Sequence, residues 1–203
     1  KRAYTYFKWV RKSVAENKPC DQFARELIAA EGPLDEVGPA NFYKAVTKPG
    51  EVASAISQVF LGVRITCAEC HHHPFDRWSQ DDYAGMAAFF SPVSVKKIGT
   101  AEATIAAGNF TAIHPRTKAT VPATLLNGKP VEVLPGSDAR EKLAEWVTAP
   151  ENPYFARNLA NRVWASMFGS GIVEPVDDVR STNPPTNPEL LDALAKFLVE
   201  NKY

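Results

Sequence analysis

Cysteine is scarce in this chain, with three residues among 203, and an odd number cannot close into a complete set of disulfides. The disulfide framework of a small secreted domain is therefore excluded. Charge of either sign is not in excess: 23 lysines and arginines face 23 aspartates and glutamates. No overall field points to a nucleic acid or to an anionic membrane. Long apolar runs are missing too, since pieces such as Met86 to Phe90 fall well short of the roughly 20 residues that cross a bilayer. No direct membrane span and no nucleic-acid partner are expected. Nucleophile elbows, phosphate-cradling glycine loops and internal repeats are likewise absent. The adjacent acids Asp81-Asp82 and Asp177-Asp178 read as helix-start and loop charges, so hydrolysis has no support.

What is present is concentrated in one run. Cys67-Ala-Glu-Cys70-His71 places two thiols three residues apart with a histidine directly after the second. On a short helical turn both thiols lie on one side, where they can add across two vinyl groups of a haem, and His71 follows as proximal iron ligand. Phe75, Arg77 and Trp78, just downstream, are candidate haem contacts, Arg77 for a propionate and the two rings for the macrocycle edge. The alternative for Asp76 and Arg77 is a plain surface pair. Zinc is the rival metal, held by Cys67, Cys70, His71 or His73, and Asp76, although a closed zinc site usually draws a second, distant pair of ligands. A third reading is a buried or disulfide-bonded cysteine pair that merely staples the fold. For the far side of the iron the candidates are His114, Met86 and Met167, each with an ordinary packing or loop role as its alternative. Cys20 reads as a buried, inert small hydrophobe.

The first hundred residues read as helices. Tyr6, Phe7, Val10 and Val14 form one stripe; Phe23, Leu27 and Ile28 form a second after Asp21, stopping at Gly32-Pro33. A short helix spans 41–46, and another from Pro49 carries Val52, Ile56, Val59 and Phe60 to Gly62. Ser79 and Asp82 form a capping box for a helix lined by Tyr83, Met86, Ala87 and Phe90. From Val93 to Leu134 the composition turns to β-branched residues, with Asn127-Gly128 a hairpin turn between 124–126 and 131–133. Helices resume with a box of Asp138 and Glu141 leading to Leu143, Trp146 and Val147. A longer helix follows with Phe155, Leu159, Val163, Trp164 and Met167 before Gly169. A last helix from Pro188 carries Leu190, Leu191, Leu194, Phe197 and Leu198. The expected fold is mainly α: an irregular helical bundle around a covalent haem, with a small β insert near 93–134. Its expected parts are a haem-binding domain at 1–92, a β-rich insert or linker at 93–135 and a second helical domain at 136–203.

Several runs carry a resemblance. Asn17-Lys-Pro-Cys-Asp-Gln-Phe-Ala-Arg-Glu-Leu, Gln58-Val-Phe-Leu-Gly-Val-Arg, Cys67 through Trp78, and Asp82-Tyr-Ala-Gly-Met-Ala-Ala-Phe-Phe resemble the large planctomycete-type cytochrome c domain proteins. Leu143-Ala-Glu-Trp-Val-Thr, Asn152-Pro-Tyr-Phe-Ala-Arg, Asn161-Arg-Val-Trp and Gly171-Ile-Val-Glu-Pro-Val-Asp-Asp resemble the second domain of unknown function that follows in such proteins. Two departures stand out: Cys20 replaces an aromatic, and Ser166 and Ser170 stand where a Trp-x-His-x-Phe-Gly-Arg-Gly run would have His and Arg. The resemblance implies a haem c protein of the periplasm or cell envelope, without supplying a substrate. It also implies a piece of a longer protein, in keeping with the helical patterns at Lys1 and Tyr203.

The sequence therefore leads to an expected electron carrier with one haem c, exchanging single electrons with a redox partner protein or other haem domains. A cell-envelope interaction domain with a zinc-binding or stapling Cys-His cluster is the alternative. A haem enzyme of peroxidase type, with His114 as distal acid-base group, is the third.

Overall fold

The computed structural model describes residues 2–126, 128–134 and 136–203. It is 46% helical, with eight α-helices and a small amount of sheet among the described residues. The mainly α expectation holds at that level.

Helix α1 (Arg2–Ala15) turns Tyr6, Trp9 and Ser13 inward. Phe7 and Val14, expected in the buried stripe, are 56% and 75% exposed. The inward face is chosen by Trp9, whose ring stacks on Phe23 at 4.4 Å and whose Nε1 donates to Glu26 at 2.9 Å. Gly38 allows that approach, because a Cβ there would lie 2.3 Å from the Trp9 Cβ. Helix α2 (Cys20–Ile28) starts one residue earlier than expected, directly after Pro19, and buries Ala24, Leu27 and Ile28. Cys20 is exposed, not buried, being on its outer side. A 3-10 turn at Pro39–Asn41 leads into α3 (Phe42–Ala45).

Helix α4 (Pro49–Ile56) does not run regularly to Gly62. It passes into a π turn, Ser57–Leu61, and ends on Gly62 in the left-handed region at φ 69°. The wider turn shifts the helical register, leaving Val59 half exposed while Leu61 is fully buried. Helix α5 (Gln80–Ala88) opens with the expected capping box of Ser79 and Asp82 and is buried on nearly every side.

The β insert differs in detail from its expectation. Strand β1 (Gly32–Pro33) joins β2 (Val93–Ile98) and β3 (Ala101–Ala106) in an antiparallel sheet of order β1-β3-β2. The tight hairpin is at Gly99-Thr100, a two-residue loop with glycine first at φ 62°. Strands β4 (Thr111–Ile113) and β5 (Thr120–Pro122) form a second pair. At the expected hairpin Thr124 and Pro130 make a single isolated bridge, and Asn127 lies outside the described residues.

Helix α6 (Ala139–Val147) is capped by Asp138, which accepts from Arg140 N at 2.9 Å. The reciprocal partner is Arg140 and not the expected Glu141. The Arg140 guanidinium is 0% exposed, grips both Asp138 oxygens, donates to Ala30 O at 3.0 Å and lies 5.3 Å from the centre of the Tyr43 ring. Leu143, Ala144 and Val147 thereby join the core built by α2, α4 and α5.

Tyr43 donates its hydroxyl to Ile28 O in that core, and burial pushes its pKa to about 12, against a smaller lowering by Arg140. Tyr83 is also held at about 12, by burial and then by Glu69. A tyrosine whose folded value lies above its unfolded one stabilises the fold fully below the unfolded value, and that contribution is lost as pH climbs through the folded value. Stability is expected to fall between about pH 10 and 12, with roughly 2–3 kcal/mol lost from Tyr43 alone. Urea titrations from pH 8 upward, with Tyr43→Phe flattening the slope, check this.

Helices α7 (Phe155–Phe168) and α8 (Pro188–Glu200) pack against each other, α8 being capped by Asn187. Their buried cluster is small: Ala160, Ile172, Val173 and Leu191. Of the expected stripe, Phe155 is buried, whereas Val163, Met167 and Phe197 are 47%, 72% and 61% exposed. In their stead α7 buries Asn158 and Asn161, whose amides reach carbonyls in neighbouring segments.

Candidate functional site

Gly62 ends the π turn, and four residues later the chain winds into a 3-10 turn, Thr66–Glu69, with Cys70 as its C-cap. Side chains three apart eclipse one another on a 3-10 turn, so Cys67 and Cys70 share one side. Both thiols are free and exposed, while Ala68 between them packs into the core and anchors the turn. Gln80 Nε2 holds Glu69 O at 3.1 Å, tying the turn to the start of α5.

His71 follows, exposed, with Nδ1 2.6 Å from His72 O. A carbonyl only accepts, so in the neutral ring Nδ1 carries the proton and Nε2 keeps the lone pair. Two other histidines have the opposite assignment. Nδ1 of His73 accepts from Phe75 N at 3.2 Å, and Nδ1 of His114 accepts from Arg116 N and Thr117 N, both at 3.1 Å. In their neutral forms Nε2 holds the proton and has no lone pair for a metal.

The loop after the motif closes where His73 N donates to Trp78 O at 2.9 Å. Asp76 accepts from Arg77 N at 2.8 Å and the Arg77 side chain leaves it, so the surface pair is not what holds this loop. Arg77 donates to the Tyr154 hydroxyl and lies 4.9 Å from the centre of the Trp78 ring. Trp78 is 2% exposed, and its indole N–H is buried without an acceptor in the protein. Phe75 is 61% exposed.

The distal candidates are scattered. Met86 is fully buried in α5, and Met167 stands 72% exposed on α7. His114 is buried after β4, with Nε2 3.3 Å from Asp81. Both of its nitrogens are thus engaged, in place of the solvated loop position expected as its ordinary role. No group of three or more His, Cys, Asp and Glu among the described residues is arranged to hold a metal ion, so the donor set of the zinc reading is not assembled.

Sequence reasoning missed a second layer around the motif. Arg64, three residues before Cys67, pairs with Asp177 and lies 4.0 Å from Asp178. Asp177 also accepts from Gln58 at 2.7 Å. Burial alone would raise the Asp177 pKa, but the Arg64 and Gln58 hydrogen bonds outweigh it and hold the carboxyl below its usual value. Arg180 lies 5.5 Å from the Phe75 ring centre, and Thr182 Oγ1 donates to Phe75 O at 2.9 Å. These partners are about 100 residues from the motif, and no spacing within either stretch announces them.

The arrangement gathers two accessible thiols and an exposed imidazole on one short stretch of chain. No helix among the described residues is long and apolar enough to cross a membrane. No curated protein and no solved structure matches the chain. Residues 1–95 match the model of the family PSCyt2, described as a protein of unknown function (DUF1549), and residues 139–203 match that of PSD1, described as a protein of unknown function (DUF1553).

Proposed function

We propose that this chain is a c-type cytochrome module that binds one haem through Cys67 and Cys70 and passes single electrons between redox partners outside the cytoplasm. The observation that carries the reading is the combination of two exposed thiols on one side of a 3-10 turn with a His71 whose Nε2 alone is left free. The residues fit a group that needs two thioether anchors and one imidazole from this stretch. A structural zinc ion would need further donors close by.

In this reading Cys67 and Cys70 hold the porphyrin and His71 Nε2 ligates its iron, while the bound group supplies the one-electron couple. The His72 carbonyl fixes the tautomer and orientation of the His71 ring and makes it more electron-rich. Arg77, paired to Tyr154 and lying over Trp78, offers a cation for a propionate carboxylate. Trp78 contributes its buried indole N–H, which an acceptor on the group would satisfy.

Expression of the chain together with a cytochrome c maturation system is expected to give red protein. Its pyridine haemochrome spectrum should be that of a doubly thioether-linked haem, at one iron per chain. Colourless protein, or one zinc per chain without iron, would overturn the reading.

A further inference from the structure

The segment from Asn158 to Thr182 is stitched to the motif's own stretch of chain at a series of points. Asn158 Nδ2 donates to Val59 O at 2.8 Å, and Arg162 donates to Gln58 O at 3.0 Å. Val179 N donates to Gly62 O at 2.8 Å, Asp177 takes Arg64, and Thr182 and Arg180 take the backbone and ring of Phe75. Gly62 makes the first of these contacts possible, since a Cβ there would lie 2.7 Å from Asn158 Oδ1 and 3.0 Å from a Val179 methyl. The gripping segment is itself stiffened. Asn161, fully buried, bonds Val173 N and O at 2.9 Å each, and Asn183 holds Asp178 O at 2.9 Å.

Both flanks of the attachment run are thus fixed from the other end of the chain: Gln58 to Arg64 on one side, Phe75 to Arg77 on the other. The run between them, Cys67 to His72, makes its thiols and the His71 ring available to solvent. A stretch held at both flanks, and pinned between them by Ala68 and the Glu69 carbonyl, keeps its reactive atoms at a set spacing without burying them.

We infer that residues 175–182 act as a clamp on the attachment loop, with Thr182 and Arg180 as positioning residues for His71 and Asp177 acting on the Cys67 side through Arg64. This rests on the haem reading for its purpose, but the clamp itself is a property of the chain without haem. Charge enters as well as geometry. Arg180, paired with Asp178 at 3.2 Å, keeps a guanidinium beside the loop, and the carboxylate of Asp177 offsets the positive charge of Arg64. A cation near an iron centre favours the electron-rich reduced state and an anion disfavours it.

Two measurements test this on the full chain. In haem-free protein, Thr182→Val and Arg180→Gln are expected to speed amide exchange at residues 73–78 by about tenfold or more while leaving α8 unchanged, and Arg180→Lys to restore part of the protection. In haem-loaded protein, Arg180→Gln should lower the reduction potential and Asp177→Asn should raise it, opposite signs that simple loosening of the site would not produce. Unaltered exchange at 73–78 in both variants, or potential shifts of one sign, would overturn the clamp. If the unaltered chain takes up no covalent haem, the functional reading falls and the exchange result still decides the clamp. If haem attaches and exchange does not move, the clamp falls alone.

Discussion

Chains carrying Cys67→Ala together with Cys70→Ala are expected to emerge from the maturation system without covalent haem. Either single replacement should leave one thioether and a red-shifted haemochrome band, because one vinyl group then stays unreacted. Neither thiol is part of the core: both are exposed, and Ala68 between them does the packing. The double variant should therefore fold, which a far-ultraviolet circular dichroism spectrum and an unchanged urea midpoint would establish. His71→Gly has a different signature. Both thioethers form, but the iron loses its protein ligand on that side, and added imidazole should restore the parent spectrum. The outcome that would contradict this account is covalent haem at the parent level in the double variant.

The second large effect concerns stability. Arg140→Ala is expected to cost about 3–5 kcal/mol, the usual penalty for removing one partner of a buried ion pair. The charge is fully enclosed; its loss strands Asp138, removes the donor to Ala30 O and opens space beside Tyr43. Arg140→Lys keeps the charge but not the planar fork that grips both Asp138 oxygens, and should recover only part of the loss. Urea unfolding followed by tryptophan fluorescence measures both. A loss below about 1 kcal/mol for the alanine variant would show that the pair adds little to the docking of α6.

The sequence was most legible where structure is decided within five or six residues. Ser79 and Asp82 cap α5 as their spacing dictates, and the order Cys67, Cys70, His71 is enough to put two thiols on one side of a turn. Helix faces were less legible, because periodicity reports which residues can be buried, not which neighbour is present to bury them. On α7 the apolar spacing of Leu159, Val163 and Met167 points one way, yet the chain buries Asn158 and Asn161, whose amides satisfy carbonyls at Val59 and Val173. Hydrophobicity cannot register that arrangement, since the stabilising partner is a backbone group more than ten residues distant. On α1 the aromatic that decides orientation is Trp9, through Phe23 and Glu26, and not the Phe7 that fits the stripe. The π turn at Ser57–Leu61 has no local signature, and it alone reverses the expectation for Val59. Within the site the split is the same. The exposed Cys67-to-His71 run stands out within one short window, whereas Tyr154, Asp177, Arg180 and Thr182 come near its flanks only through the fold.

Arg140 has a bearing on how such a chain can be divided. The two matched families meet across residues 96–138, a border that invites expression of either half by itself. Cutting there would strip α6 from α2, leaving the Ala30 carbonyl and the wall formed by Leu27 and Ile28 open to water. An excised front half would thus begin life with a wound along its main core, and mutations tolerated in one half should depend on what the other half carries.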